Sequence, residues 1–141
     1  MRNNYVLVTL SCALAFALIG CKDKEAKADV EGAAKQVEQT FQKSAPEAQD
    51  AVAAAKAATA AATAAPAGSD INAQRAKFIE ALRPMHAAMS QGRLTPEQTR
   101  ALQNLFNQLN KAIQQNPNIV NKELYEAQNA LFQALYGANG D

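Results

Sequence analysis

The chain has 141 residues, of which 48% are apolar, 19% are charged and 6% are aromatic, and it contains no Trp. This length and composition predict one globular domain of ordinary size. A formal net charge of +1 excludes the basic field that nucleic-acid binding requires, so no nucleic-acid partner is expected. One His and two Cys argue against His-rich zinc sites and against a disulfide framework.

Residues 1–20 have the pattern of a cleaved signal peptide. Arg2 supplies a positive charge, and a largely apolar stretch runs from Tyr5 to Ile19. That stretch is shorter than the ~20 apolar residues that span a bilayer. It ends at Gly20 and Cys21 and is followed at once by charged residues. A small residue before Cys is what a signal peptidase requires when that Cys is to carry lipid.

The segment Leu18-Ile19-Gly20-Cys21 resembles the lipobox of bacterial lipoproteins, and Cys21 is the residue in the lipidated position. The resemblance covers only the start of the chain. It implies a diacylglycerol on the Cys21 sulfur, cleavage before Cys21, and acylation of the new amino group, for example with palmitate. Two or more acyl chains anchor a protein stably in a membrane. Apart from this covalent lipid no cofactor is expected, and the expected partner of Cys21 is the lipid bilayer.

Lys22 bears on which membrane receives the protein. In enterobacterial lipoproteins an Asp after the lipidated Cys tends to retain the protein in the inner membrane, so Lys22 favours the outer membrane, facing the periplasm. Cleavage removes Arg2 and Cys12, which leaves 13 of the 14 basic residues against 13 acidic ones. The mature protein is therefore expected to be neutral and free of thiols, which suits an oxidising envelope compartment.

Residues 21–69 are expected to form the lipidated N-terminus and an Ala-rich helical spacer. Spacings of 7, 4, 7 and 4 separate five apolar residues and predict a helix with a narrow apolar stripe, formed by Val30, Val37, Phe41, Ala48 and Val52. Ser44, Pro46 and Glu47 have the spacing of a helix start and predict two helices, about 26–43 and 45–64. Pro66-Ala67-Gly68-Ser69 predicts a flexible joint.

The function expected of this segment is to hold the rest of the chain off the membrane. About 40 helical residues at ~1.5 Å each reach ~60 Å. Two alternatives are open. One is self-association as a coiled coil through Val30, Val37 and Phe41, and the other is a low-complexity tether.

Residues 70–136 predict a three-helix bundle, followed by a tail at 137–141. Asp70 has the chemistry of an N-cap, and Pro84 predicts a kink or break near Leu82 and Arg83. Gly92 is expected to close this first helix in a left-handed conformation. Its apolar face is expected to consist of Ile71, Phe78, Ile79, Leu82, Met85 and Met89.

The second and third helices of this bundle have clear boundaries. Thr95, Pro96 and Gln98 match an N-cap, a first-turn proline and a capping box, and Asn116-Pro117-Asn118 predicts a turn. Gly137 is expected to end the last helix. The predicted core comprises Leu102, Leu105, Phe106, Leu109 and Ile113, followed by Val120, Leu124, Ala127, Leu131, Phe132 and Leu135, with Tyr125 and Tyr136 alongside the last helix's stripe.

Little in the chain predicts catalysis. His86 has no second His or nearby Cys to complete a metal site. Glu123 and Glu126 share a helix face, but a catalytic pair of carboxylates needs a cleft, and a small bundle rarely has one. No catalytic residue, no metal ligand and no enzymatic activity is therefore predicted.

Amides are abundant in the second helix of the bundle. The face opposite its Leu stripe is expected to present Gln103, Asn107, Asn110 and Gln114, which are candidate partner-binding residues because an amide both donates and accepts hydrogen bonds. The alternative is a solvated helix face that binds no partner.

The sequence as a whole predicts a membrane-anchored envelope lipoprotein with a non-catalytic interaction or structural role and an envelope protein as partner. The alternative is a non-covalent module that binds cell-wall glycan (peptidoglycan) through the amide face. In outline the chain resembles the murein lipoprotein, but it ends in Gly140-Asp141 and lacks the terminal Lys of that family, so covalent wall attachment is not predicted. A membrane-active toxin needs a cationic amphipathic face, which the neutral mature charge disfavours.

Overall fold

The structure, a computed structural model, describes residues 28–41, 47–63, 70–91 and 93–137. The predicted all-α class is confirmed over these residues, whose regular elements are all helical. The signal peptide, Cys21, the helix start at Ser44 and Pro46, the joint at 66–69, Gly92 and the end of the tail lie outside them. The helices are α1 (Val30–Phe41), α2 (Glu47–Thr63), α3 (Ile71–Ser90), α4 (Pro96–Gln114) and α5 (Lys122–Tyr136), with a short 3₁₀ helix, Pro117–Ile119, before α5.

Neighbouring helices in the sequence run in opposite directions. Gln91, after the end of α3, donates to Asp50 near the start of α2 at 2.7 Å. Asn116, after the end of α4, donates to Gln74 near the start of α3 at 2.9 Å. The start of α4 likewise faces the end of α5, where Gln103 donates to the Leu135 carbonyl. Helices α3, α4 and α5 therefore alternate in direction as the sequence predicts, but they do not form a separate three-helix bundle, because α4 packs mainly on α1 and α3 packs mainly on α2.

Helices α1 and α2 belong to the same bundle as α3, α4 and α5. Helix α1 contacts α2 and α4, and α2 packs mainly on α3. One hydrophobic core joins all five α-helices. The described part of the predicted spacer is therefore built into the bundle, which differs from the expectation of a helical arm reaching ~60 Å.

The physical reason lies in the residues that α1 and α2 place in the core. Val30, Val37 and Phe41 are at most 2% exposed, and burying a side chain of this kind contributes about 1.5–3 kcal/mol. On α2 a face of small residues is buried, which lets the backbone approach α3 closely: Ala51, Ala54, Ala55, Ala58 and Ala61. The stripe proposed for coiled-coil self-association is thus covered by the chain's own helices.

Asp29 fixes the start of α1. Its carboxylate accepts a hydrogen bond from the Gly32 backbone N–H at 2.9 Å. A Cβ added at Gly32 would meet the Asp29 carboxylate, so a larger residue at this position would push that carboxylate out of its cap. The backbone N–H of Asp29 donates to Gln108 Oε1 at 2.9 Å, which joins the start of α1 to α4.

Helix α3 corrects two predictions. It is continuous from Ile71 to Ser90, so the break expected near Leu82 and Arg83 is absent although Pro84 lies inside the helix. Leu82 and Met85 on either side of Pro84 are buried, and this packing offsets the backbone hydrogen bond that a proline removes. Ile71, predicted to face the core, is 45% exposed because it is the first residue of the helix. The cap at Asp70 is confirmed by a bond from the Asn72 N–H.

Helix α4 agrees closely with its prediction. The Thr95 hydroxyl accepts from the Gln98 N–H, and the Gln98 side chain accepts from the Thr95 N–H, so the capping box is complete. The predicted core stripe is buried throughout: Leu102, Leu105, Phe106, Leu109 and Ile113.

Helix α5 differs from its prediction at two core positions. It starts at Lys122, where the Asn121 side chain caps the Leu124 N–H, so Val120 precedes the helix and is 46% exposed. Ile119 takes the core position and is fully buried. Phe132 is 49% exposed because α5 packs through a stripe one residue away, formed by Leu124, Leu131 and Leu135.

Candidate functional site

The predicted amide face of α4 lies largely against α5. Gln103 donates to the Leu135 carbonyl at 3.4 Å, and Asn110 accepts from Gln128 Nε2 at 2.7 Å. Asn107 is exposed, and its Oδ1 accepts from the Tyr136 hydroxyl at 3.4 Å. Gln114 is exposed. The structure thus brings three of the four candidate partner-binding residues to the seam between α4 and α5.

Other amides join α4 and its C-terminal end to further helices. Asn104 donates to Gln36 of α1 at 2.8 Å, and Gln108 accepts from the Asp29 backbone. Asn116, just after α4, donates to Gln74 of α3, a side chain that is only 6% exposed. Amide pairs suit such seams because each side chain supplies both a donor and an acceptor without introducing charge.

An open groove of about 620 Å³ lies between α3 and the start of α5. Two arginines line it, and both already have partners within the chain. Arg75 donates through Nε to the Ile119 carbonyl at 2.7 Å, and Arg83 lies 3.4 Å from Glu123. Both members of the Arg83–Glu123 pair are well exposed, so the pair contributes little to stability. A separate, smaller and mostly apolar pocket shares Arg83 with this groove and is also lined by Leu82, His86, Ala127 and Ala130.

His86 is exposed and lies one turn before Ser90. The Ser90 hydroxyl donates to the His86 carbonyl at 2.8 Å, and it lies 3.5 Å from His86 Nδ1. Over the described ranges, no group of three His, Cys, Asp or Glu residues is placed to hold a metal ion.

One described lysine has a perturbed pKa. Lys35 on α1 donates to Glu31 Oε1 at 2.8 Å, and this hydrogen bond, together with the charge of Glu31, raises the pKa of Lys35 above its usual value. The shift leaves Lys35 charged at neutral pH, so it creates no titrating site there.

The outer side of α5 is aromatic, which the sequence prediction missed for Phe132. Tyr125 is 63% exposed, and the rings of Phe132 and Tyr136 lie 4.9 Å apart in a tilted arrangement. The spacing 125, 132 and 136 could have revealed this face, because these positions fall on one side of a helix. The sequence prediction assigns Phe132 to the core because it lies next to Leu131 in the leucine stripe of α5.

No helix in the described ranges is long and apolar enough to cross a membrane. Comparison with known protein families, with curated proteins and with solved structures gives no match to this chain.

Proposed function

We propose that the protein is a bacterial envelope lipoprotein, anchored by acyl chains on Cys21, whose helical bundle has a non-catalytic structural or protein-binding role. The observation that carries the proposal is the order of features at the N-terminus. A positive charge, a mostly apolar stretch, Leu18-Ile19-Gly20-Cys21 and a charged segment follow one another directly. This order is what lipid modification of Cys21 requires, and it supports both the anchor and the export route.

The packing of α1 changes the geometry expected of the anchored protein. Residues 22–29 separate Cys21 from the start of α1, and a chain of that length spans at most about 30 Å. Because α1 belongs to the bundle core, the proposal places the whole bundle close to the membrane. Lys22 favours the periplasmic side of the outer membrane as its location.

The proposed partner is an envelope protein that contacts exposed side chains of the bundle. Of the four amides considered, Asn107 and Gln114 are the exposed ones. The alternative, peptidoglycan binding through the amide face, has less support, because Gln103 and Asn110 already bond to α5. A glycan would have to compete with these bonds.

The anchor is tested by changing Cys21→Ser and by changing Cys12→Ser as a matched control. Both variants lose one thiol from the N-terminal region, but Cys21 alone occupies the lipobox position. We expect C21S to take up no labelled palmitate and to accumulate as a slower-migrating precursor, whereas C12S is labelled and processed normally. Normal labelling and processing of C21S would overturn the proposal.

A further inference from the structure

Helix α1 is the first described helix after Cys21, so the end of the bundle at which α1 starts is the end closest to Cys21 along the chain. Asp29 bonds to Gln108 of α4, and Gln36, two turns later in α1, bonds to Asn104, one turn earlier in α4. Helices α1 and α4 therefore run in opposite directions, and α1 starts toward the C-terminal end of α4. We call this the tether end.

The starts of α3 and α5 lie at the same tether end. Asn116, just beyond α4, donates to Gln74 in the first turns of α3. Arg75 joins α3 to the residue before Val120, because its guanidinium donates to the Ile119 carbonyl at 2.7 Å. Ile71 and Val120 thus lie at the same end of the bundle as the start of α1, on α3 and just before α5, while α1 itself packs on α2 and α4.

Apolar side chains are exposed at this end. Ile71 is 45% exposed and Val120 is 46% exposed, and Tyr125, in the first turn of α5, is 63% exposed. Among the described residues, one further large hydrophobic side chain is exposed. It is Phe132, which is 49% exposed and lies two turns after Tyr125 in α5. Around the opposite end, the exposed side chains include Ser90, Gln91, Arg93, Thr95 and Glu97. Exposed Ile and Val at the same end of the bundle as an exposed Tyr match the apolar-to-polar boundary of a bilayer, where aromatic rings with a hydroxyl are enriched.

We propose that the tether end rests on the lipid bilayer, with Ile71 and Val120 in contact with the interfacial region and Tyr125 at its rim. The inference rests on the lipid anchor at Cys21 proposed above. The length of chain between Cys21 and α1 supports it, since at most about 30 Å separates the anchor from the tether end. Helix α3, with 20 residues at ~1.5 Å each, places the opposite end about 30 Å further away.

Among the described residues, the tether end has no excess of positive charge. Its acidic residues are Asp29, Glu31, Asp70, Glu123 and Glu126, and its basic residues are Lys35, Arg75, Lys111 and Lys122. The contact is therefore apolar in origin and independent of anionic lipid, unlike that of polybasic membrane-binding segments.

The absence of Trp allows a direct test with one fluorescent reporter at a time. The lipidated full-length mature protein is incorporated into phosphatidylcholine vesicles that contain brominated acyl chains. Val120→Trp and, independently, Ile71→Trp place the reporter at the tether end, and Arg93→Trp serves as the control at the opposite end. We expect the Trp fluorescence of V120W and of I71W to fall at least twofold relative to vesicles without bromine, and the Trp fluorescence of R93W to stay unchanged. Circular dichroism checks that each variant is folded.

Flotation with the vesicles and palmitate labelling distinguish a failure of the lipid anchor from a failure of the tether-end contact. Protein that is labelled and floats but shows no quenching at Val120→Trp or Ile71→Trp overturns the tether-end contact and leaves the anchor standing. Equal quenching of R93W also overturns it, because the bundle would then have no preferred end toward the lipid. Protein that is neither labelled nor floats contradicts the anchor and, with it, this inference.

Discussion

At the level of single residues, amides connect the helices of this bundle. Asn110 bonds to Gln128 across the α4–α5 seam, and Asn104 bonds to Gln36 across the α1–α4 seam. The net contribution of one such neutral hydrogen bond is about 0.5–1.5 kcal/mol. The amide-rich sequence of α4 therefore has a structural explanation within the chain, and an external ligand is not needed to account for it.

A double-mutant cycle on Asn110→Ala and Gln128→Ala tests this explanation. Each single change leaves the other amide with its bond broken, so the two effects on the free energy of unfolding should not add. We expect a coupling energy of about 0.5–1.5 kcal/mol, measured by urea unfolding. Asn110→Ala combined with Asn129→Ala is the control, because Asn129 is exposed on the same helix as Gln128. A coupling no larger than that of the control pair would contradict a structural role for the amides.

The positions of these amides could be listed from the sequence, but their partners could not. Asn104 and Gln36 are 68 residues apart in the chain, and Asn116 and Gln74 are 42 apart. Periodicity along α4 identifies a face but does not say which helix covers it. The sequence therefore indicates which amides share a side of α4, while the contacts of that side with α5 depend on tertiary packing.

At the level of helices, local signals were reliable where a helix carries its own caps. Thr95, Pro96 and Gln98 predicted the start of α4, and the buried leucine stripe followed from the 3.6-residue period. For α2, the signals at Ser44, Pro46 and Glu47 predict where the helix starts, but they do not say what covers it. Its alanines predict a helix by propensity, but they fit equally well on a solvated arm or against a neighbour that approaches closely. The burial of Ala58 could not be read from the sequence for that reason.

Replacing Ala58 with Leu tests whether α2 packs as the structure shows. Ala58 is fully buried, so the larger side chain must displace its neighbours, and we expect a loss of about 1–3 kcal/mol in the free energy of unfolding. Ala53→Leu is the matched control on the same helix, because Ala53 is exposed and its replacement should change stability by less than about 0.5 kcal/mol. Chemical unfolding monitored by circular dichroism gives both values. Equal and small effects would mean that α2 is solvated on all sides.

At the level of the whole molecule, a proposed lipid anchor at Cys21 precedes a bundle of five helices. One hydrophobic core contains Val37 of α1, Ala58 of α2, Leu82 of α3, Leu105 of α4 and Leu131 of α5. The three C-terminal helices could be predicted from the sequence because their signals are local, and the proposed lipid anchor rests on an equally local resemblance at Leu18–Cys21. The inclusion of α1 and α2 in the same core could not, because a narrow apolar stripe fits both a packed helix and an isolated amphipathic one. This inclusion decides whether the anchored protein is a bundle at the membrane or a bundle on a long arm.

Hydrogen–deuterium exchange of the mature protein, followed by mass spectrometry, tests that central claim most directly. Backbone amides in a shared core exchange only when the core opens, so their protection reports the unit to which a helix belongs. We expect peptides from α1 and α2 to be protected to nearly the same degree as peptides from α4. Rapid exchange throughout α1 and α2 beside a protected α4 would contradict the account and restore the extended spacer.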